Sequence, residues 1–259
     1  MTTLRTAALA ILLEADPDRK AALARALDAQ AGAVGTDQML AEPPGIPGRP
    51  ARPELVAHAG LSQRSVGTLA GRAALIHALA HIELNAIDLA VDIVWRYAGL
   101  PEVFYRQWLD VAREEALHFQ LLRDHLQGLG WRYGDFPAHN ALWEMAHKTR
   151  HDLLARLALV PRTLEARGLD ASPPIKAKLV GAGDRRAGEI IDIILRDEIG
   201  HVAVGNHWYR QLCAERGLDP HATWAELAER HGAPRLRGPY NLAARRLAGF
   251  DEHELGLLS

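Results

Sequence analysis

Hydrophobic positions recur every three or four residues through four long stretches of the chain, as they do on the buried face of an amphipathic helix. The stretches run from about 65 to 97, 101 to 127, 140 to 167 and 184 to 212. No stretch combines the two-residue alternation of a strand with the turn residues of a hairpin. The pattern predicts an all-α protein whose main element is a four-helix bundle.

Glycine, proline and aspartate mark the ends of these helices. Gly99 and Pro101 separate the first helix from the second, and Asp184 is suited to cap the fourth. A glycine- and aromatic-rich stretch at 128–137 predicts a long crossover between the second helix and the third. Two consecutive prolines in the run 170–174 are expected to break the chain before the fourth helix begins.

The sequence around the bundle predicts three appendages. Residues 1–41 form an N-terminal helical extension that is interrupted near Asp16, a residue suited to start a new helix. Residues 42–64 are rich in proline and are expected to form an extended strap. The bundle, with a dinuclear metal site, occupies 65–215, and residues 216–259 form a C-terminal helical segment.

Acids and histidines recur on the apolar stripes of the four helices. Six residues form two copies of one arrangement, a lone glutamate on one helix and a Glu-x-x-His on the next: Glu83, Glu115, His118, Glu165, Glu198 and His201. The intervals between the glutamates are nearly equal, 32 residues in the first copy (115 − 83) and 33 in the second (198 − 165). Four buried carboxylates would outweigh the stability of an ordinary domain unless cations neutralised them. Four carboxylates and two imidazoles from four helices can hold a carboxylate-bridged pair of metal ions.

The depth of the acids along the helices supports this interpretation in the first copy. Glu83 and Glu115 each lie about 15 residues from the turn at Gly99, which is roughly 22 Å along antiparallel helices. The second copy requires that residues 168–183 continue along the bundle. Pro161 is expected to kink the third helix one turn before the acid on that helix.

Other histidines compete for a metal-binding interpretation. His77 and His81 share a helix face with Asp88 and Asp92, and this face is interpreted as a solvated or interhelical polar stripe rather than a second metal site. Three residues on the third helix repeat the motif without a matching partner set, and their role stays open: Glu144, His147 and His151. His253, near the C-terminus, is interpreted as a surface or packing residue.

Composition narrows the classes of function. The chain has 259 residues, 48% of them hydrophobic, and a formal charge of −2, so it has no general attraction to phosphate backbones or anionic lipid. Cys213 is the only cysteine, which excludes an internal disulfide and a Cys₄ iron–sulfur cluster within the chain. No clear signal-peptide pattern or uninterrupted apolar run of about 20 residues is present. We therefore expect a cytoplasmic protein without a membrane partner.

With these residues in view, the chain resembles the ferritin-like superfamily, in which a Glu, a Glu-x-x-His, a Glu and a Glu-x-x-His bind two iron ions. Three segments resemble more closely the bacterial ferritin-like family numbered 455 among the domains of unknown function: 133–135, 165–170 and 197–201. That likeness extends from the proline-rich strap to about Pro220. Glu165 and the Ala-Arg after it also resemble, more distantly, a segment of the di-iron tRNA hydroxylase that oxidises prenylated adenosines.

The resemblance implies that the six residues ligate two metal ions, with one glutamate from each copy bridging. Carboxylate and imidazole ligands suit an Fe/Fe pair, or Fe/Mn or Mn/Mn, and the lack of a thiolate set makes structural zinc less suitable. The leading hypothesis is an O₂-dependent oxidoreductase of the hydroxylase or monooxygenase type, which acts on a small molecule or a modified tRNA and takes electrons from an external donor. One alternative is a ferroxidase or peroxide-detoxifying protein. Another is a binding scaffold without catalysis, in which the metal only stabilises the bundle.

A tRNA substrate would require a basic surface. Nine arginines could form one: Arg150, Arg156, Arg162, Arg185, Arg186, Arg235, Arg237, Arg245 and Arg246. Arginines at such spacings are more often solvated, and the net charge of −2 does not favour tRNA. Exposed helices rich in alanine and leucine suggest a homodimer.

Overall fold

The structure is a computed structural model that describes residues 2–57 and 64–258. The predicted all-α bundle class is confirmed, since the described residues contain only helices, loops and one isolated bridge between Leu55 and Ala138. The α-helices, in chain order, are α1 Leu4–Leu13, α2 Pro17–Ala26, α3 Leu69–Arg96, α4 Glu102–Gly128, α5 Ala141–Lys148, α6 Leu153–Leu159, α7 Ala166–Gly181, α8 Arg185–Glu215, α9 Pro220–His231, α10 Leu242–Leu247 and α11 Glu252–Gly256. A π-helical turn, Val160–Glu165, joins α6 to α7.

The chain forms two compact units, Met1–Ala141 and Leu142–Ser259. In the first unit, α3 and α4 pack along their lengths and run antiparallel, because only residues 97–101 connect them. Helix α1 packs mainly on α3 and α2 mainly on α4. The predicted interruption near Asp16 is confirmed, since the side chain of Asp16 caps α2 by accepting a hydrogen bond from the backbone N–H of Arg19 at 2.8 Å.

Helix α3 is buried on every side from Glu83 to Trp95, not only along the predicted stripe. Its interior acids have cationic partners: Asp88 pairs with Lys20 of α2, and Asp92 pairs with Arg96 at 2.8 Å. The helix is long and apolar enough to cross a membrane, but 72% of its most apolar window is buried within the protein. A single helix of this kind is weak evidence for a membrane span.

The proline-rich strap is described as far as residue 57 and contains no helix up to that point. Around Leu55 it pairs with the segment after α4, where the backbone N–H of Val56 donates to the carbonyl of Ala138 at 2.8 Å. The part of the predicted strap at 58–63 lies outside the described residues.

In the second unit, the predicted single helix over 140–167 is wrong. The chain leaves helical geometry after Lys148, and Asp152 starts a new helix by accepting a hydrogen bond from the backbone N–H of Leu154 at 2.9 Å. The kink predicted at Pro161 takes the form of the π-helical turn, which begins one residue earlier. A proline has no N–H to continue the α-helical ladder, and a π-helical turn accommodates that loss locally.

The break predicted at 170–174 is also wrong, because α7 continues through Pro173 and Pro174 to Gly181. Pro173 cannot donate to the carbonyl of Leu169, but the side-chain amide of Asn241 donates to that oxygen at 3.2 Å. After α7 the chain turns, and α8 packs antiparallel to α7. The predicted cap of the fourth helix is confirmed, since the side chain of Asp184 accepts from Ala187 N–H at 3.0 Å.

Candidate metal centre

Three of the predicted ligands come together inside the first unit: Glu83 of α3, and Glu115 and His118 of α4. We call them the first ligand set. The Nδ1 atom of His118 lies 3.4 Å from a carboxylate oxygen of Glu83 and 3.3 Å from one of Glu115. The exposed fractions are 5% for Glu83, 2% for Glu115 and 0% for His118. The short turn after α3 brings the two helices back at matching depth, as the sequence predicts.

The spacing of these atoms fits a shared ion. Each residue offers one ligand atom, and these atoms lie within 4.8 Å of one another. Oxygen and nitrogen ligands at about 2.0–2.2 Å from an ion lie roughly 3 to 4.4 Å apart, depending on the angle at the ion. Two carboxylates and one imidazole also form a donor set that suits first-row transition metals. This buried cluster can therefore hold a metal ion.

Glu165, Glu198 and His201 belong to the second unit, and we call them the second ligand set. Glu198 and His201 lie one turn apart on α8, with His201 Nδ1 3.5 Å from a carboxylate oxygen of Glu198. Both are buried, whereas Glu165, the last residue of the π-helical turn, is half-buried. A Cβ placed on Gly168, three residues beyond Glu165, would lie 4.0 Å from a carboxylate oxygen of Glu198. Glu198 therefore lies against the first turn of α7.

Local packing fixes the turn that ends at Glu165. The hydroxyl of Thr163 donates to the carbonyl of Ala158 at 2.7 Å, which satisfies an acceptor where the helical ladder is disturbed. Pro161 packs against Gly205 of α8 so closely that a Cβ on this glycine would lie 2.6 Å from the proline Cβ. The turn that ends at Glu165 is therefore packed directly against α8.

His77 and His81 form part of a buried polar network in the first unit, so this part of the predicted polar stripe is not solvated. His81 Nδ1 lies 2.8 Å from the hydroxyl of Tyr133, and His77 Nε2 accepts a hydrogen bond from Gly134 N–H at 2.9 Å. Burial lowers the pKa of His77 to about 4 and that of His81 to about 3. The rings are therefore neutral at physiological pH, and their hydrogen bonds position the segment after α4.

The third-helix repeat of the motif is on the surface. Glu144, His147 and His151 are all exposed, so they lack the desolvated surroundings of the first ligand set. The same Glu-x-x-His spacing thus occurs twice in buried positions, at Glu115 and at Glu198, and once as a solvated pair. The spacing alone does not separate these cases, whereas the apolar neighbours of Glu115 and His118 do.

One cluster was missed by the sequence analysis. His221, Asp251 and Glu254 of the second unit offer ligand atoms within 4.8 Å of one another. Arginines already contact these carboxylates, since Arg210 lies 2.8 Å from Glu254 and Arg162 also pairs with it. Asp251 and Glu254 form the capping box of α11. Their spacing of three residues in the sequence indicates this helix start. His253, interpreted as a surface or packing residue, is exposed and its ring meets that of His221 at 4.8 Å.

Three of the nine arginines considered for a basic surface are buried: Arg156, Arg162 and Arg245. Arg245 binds Asp170 through two nitrogens, the shorter contact being 2.6 Å, and Arg156 donates to the carbonyl of Ala146 at 2.7 Å. These residues stabilise the second unit and cannot contribute to a surface patch.

Comparison with known proteins identifies the family of the chain but not its function. The model of a family described as "Protein of unknown function (DUF455)" matches residues 13–256. An uncharacterized protein of Haemophilus influenzae is 50% identical over 213 residues, which cover 80% of this chain and 74% of that protein. No solved structure matches the chain.

Proposed function

The chain belongs to the DUF455 family, and we propose that it is a ferritin-like protein that binds a carboxylate-bridged pair of iron ions and uses O₂ to oxidise an organic substrate. Fe/Mn and Mn/Mn pairs suit the same ligands. In this proposal the residues of the two ligand sets would hold the pair of ions. The observation that carries the proposal is the buried convergence of Glu83, Glu115 and His118.

Charge balance supports a pair of divalent ions. The six proposed ligands include four carboxylates, with a charge of −4 when ionised, and two divalent cations neutralise that charge completely. Buried carboxylates without such compensation would cost several kcal/mol each. The recurrence of the motif on α8, with the same Glu-to-His spacing and similar burial, is what a two-ion site requires.

The residues of the first ligand set have distinct roles in this proposal. His118 would hold a metal through Nδ1, the ring atom that faces both carboxylates, and its proton would then lie on Nε2. Glu83 and Glu115 are fixed on two packed helices, which limits how far their carboxylates can move. The burial of His118 excludes bulk water and strengthens every charge interaction around it. A reduced iron pair, when bound, supplies the capacity to activate O₂, and an external donor supplies the electrons.

Metal analysis tests the proposal with a control that the chain itself offers. The double variant Glu115→Gln/His118→Gln alters the buried motif, and Glu198→Gln/His201→Gln alters its repeat. The control, Glu144→Gln/His147→Gln, makes the same substitutions at the same spacing on the surface. We expect about two iron or manganese ions per chain in the native protein and the control, and a loss of metal from both buried variants. Circular dichroism checks that each variant is folded.

Equal metal content in all four proteins would contradict the proposed site. If the metal is lost as expected, O₂ uptake by the iron-loaded, reduced protein separates the functions. Turnover that depends on an added organic compound supports an oxidase or hydroxylase. Uptake that stops when ferrous iron is exhausted, together with a large iron-filled particle on size-exclusion chromatography, would favour iron handling. Retention of metal and fold without either activity would favour a scaffold.

A small molecule is the proposed substrate class, and the cytoplasm is the proposed location. The net charge of −2 and the burial of three arginines weigh against a tRNA-binding surface in the second unit. Filter binding of tRNA at low and physiological salt is the direct comparison. Binding that is tight and salt-dependent would move modified tRNA to first place.

A further inference from the structure

The second unit contains a cavity of about 700 Å³ that none of the six predicted ligands lines. It is bordered by α9, by the segment after α9 and by the C-terminal helices. Its walls include three aromatic side chains: Trp224, Tyr240 and Phe250. Aliphatic residues, among them Leu236 and Leu258, complete the apolar lining. Pockets for small organic ligands commonly have this size and character.

The wall formed by Trp224 is held in place. Its indole Nε1–H donates to the hydroxyl of Thr163 at 2.9 Å, which ties α9 to the π-helical turn. Tyr240 and Phe250 are held by Arg245, whose guanidinium lies 5.6 Å and 5.1 Å from their ring centroids. These contacts reduce the rotational freedom that the rings would lose when a ligand binds. The aromatic side chains are therefore already held in place before the flat ring of a ligand packs against them.

The charges of the lining favour an anion. Of the charged side chains that line the cavity, Arg162 and Arg245 are 5% and 1% exposed, whereas Glu229 is exposed at the rim. The remaining acid, Glu254, is already engaged by two arginines. Arg162 and Arg245 are likewise paired, with Glu254 and Asp170, so the lining cation that no carboxylate of the described residues pairs is Arg235.

Two of the lining arginines have unused hydrogen-bonding capacity. The Nε–H of Arg162 is buried and has no acceptor among the described residues. Burial lowers the pKa of Arg162 to about 10, because nearby groups offset only part of the cost of desolvating its cationic form. Arg235 lines the cavity from an exposed position and makes no ion pair with any residue in the described ranges. A ligand anion would supply the acceptor that Arg235 lacks.

We propose that this cavity binds a small aromatic anion, with its ring packed among Trp224, Tyr240 and Phe250 and its carboxylate, sulfonate or phosphate group on Arg235. The inference is independent of the proposed metal centre. It assigns a binding site and a ligand class to the second unit.

The probe for the test is 1-anilinonaphthalene-8-sulfonate, an aromatic anion whose fluorescence rises in an apolar site. N-phenyl-1-naphthylamine, which has the same ring system without the sulfonate, is the neutral counterpart. Both are titrated into the full chain as purified, with its metal retained, and variants of the cavity lining locate the binding in the second unit. We expect one sulfonate probe per chain, bound at least tenfold more tightly than the neutral compound, since a charge-assisted hydrogen bond contributes about that factor.

Two pairs of variants locate the binding. Arg235→Gln should weaken binding of the sulfonate about tenfold, whereas Arg237→Gln, an exposed arginine outside the lining, should change it less than twofold. Ala228→Phe places a ring inside the cavity and should weaken binding of the probe, whereas Ala222→Phe places the same ring on an exposed part of α9 outside the cavity. Melting curves confirm that each variant is folded.

The proposal is overturned if Ala228→Phe binds the probe as the native chain does, because the probe then occupies another surface. It is also overturned if the neutral compound binds equally well and Arg235→Gln has no effect. That result would identify an apolar pocket without preference for an anion. Neither outcome bears on the metal content of the chain, so failure here and failure of the metal centre are distinguishable.

Discussion

The close contact between Pro161 and Gly205 can be tested with two alanine substitutions on helix α8. Gly205 and Gly200 both lie inside α8. A Cβ on Gly205 would lie 2.6 Å from Cβ and 2.8 Å from Cγ of Pro161, whereas a Cβ on Gly200 would meet no atom within 4 Å. We expect Gly205→Ala to destabilise the protein and Gly200→Ala to stabilise it.

The magnitude follows from these distances. Carbon atoms in favourable contact are about 3.5–4.0 Å apart, so the proline ring and α8 must separate by about 1 Å in Gly205→Ala. Overpacking of this kind costs about 1–3 kcal/mol. Alanine is favoured over glycine in a helix by up to about 1 kcal/mol at either position. That gain cancels when the two variants are compared, so the difference between them measures the overpacking itself, about 1–3 kcal/mol.

Thermal and urea unfolding, followed by circular dichroism, measure this difference. Each kcal/mol corresponds to roughly 2–4 °C in Tm for a chain of this size. Equal stabilisation by the two alanines would refute the close contact between the π-helical turn and α8. Metal content provides a second readout for the proposed metal centre, because Glu165, one of its proposed ligands, is the last residue of the π-helical turn that contains Pro161. Gly205→Ala should lower metal retention under mild chelation more than Gly200→Ala does.

Two further predictions concern the first unit. Lys20→Met removes the partner of a buried carboxylate and should cost about 3–5 kcal/mol in urea unfolding, while Lys20→Met/Asp88→Leu should recover much of that loss. The pKa of His77 is lowered by burial to about 4 from 6.5, so its contribution to stability is full above pH 6.5 and is lost as pH falls towards 4. Since 2.5 pKa units correspond to about 3 kcal/mol, His77→Gln, which keeps an acceptor for Gly134 N–H, should remove that part of the pH dependence of the unfolding free energy, while the part due to His81 remains. His147→Gln on the surface should leave the profile unchanged.

The first ligand set was predictable because its geometry is local. A single short turn at Gly99 connects the two helices, so counting residues from that turn aligns Glu83 with Glu115. The apolar neighbours of these acids also identified them as buried. A repeat of the motif at Glu144 had the spacing without a partner set, and it lies on the surface.

The course of α7 could not be predicted from the sequence around it. Two adjacent prolines argue against a helix, and the carbonyl of Leu169 that they leave unsatisfied is bonded by Asn241, 72 residues further along the chain. The burial of Arg245 likewise depends on Asp170, 75 residues away. Periodicity describes one element at a time, and partners so distant in sequence become visible only in the folded unit.

The acids buried in α3 also affect how this helix behaves before the protein has folded. While the chain is being synthesised, α3 has the length and hydropathy of a membrane anchor. An acid near the middle of a spanning helix adds about 2.5–3.5 kcal/mol to the free energy of insertion by the translocon. Glu83 lies at the middle of α3, and Asp88 follows within two turns. Glu83 therefore also opposes insertion of the nascent helix into a bilayer, at a stage when α3 has not yet packed against α4.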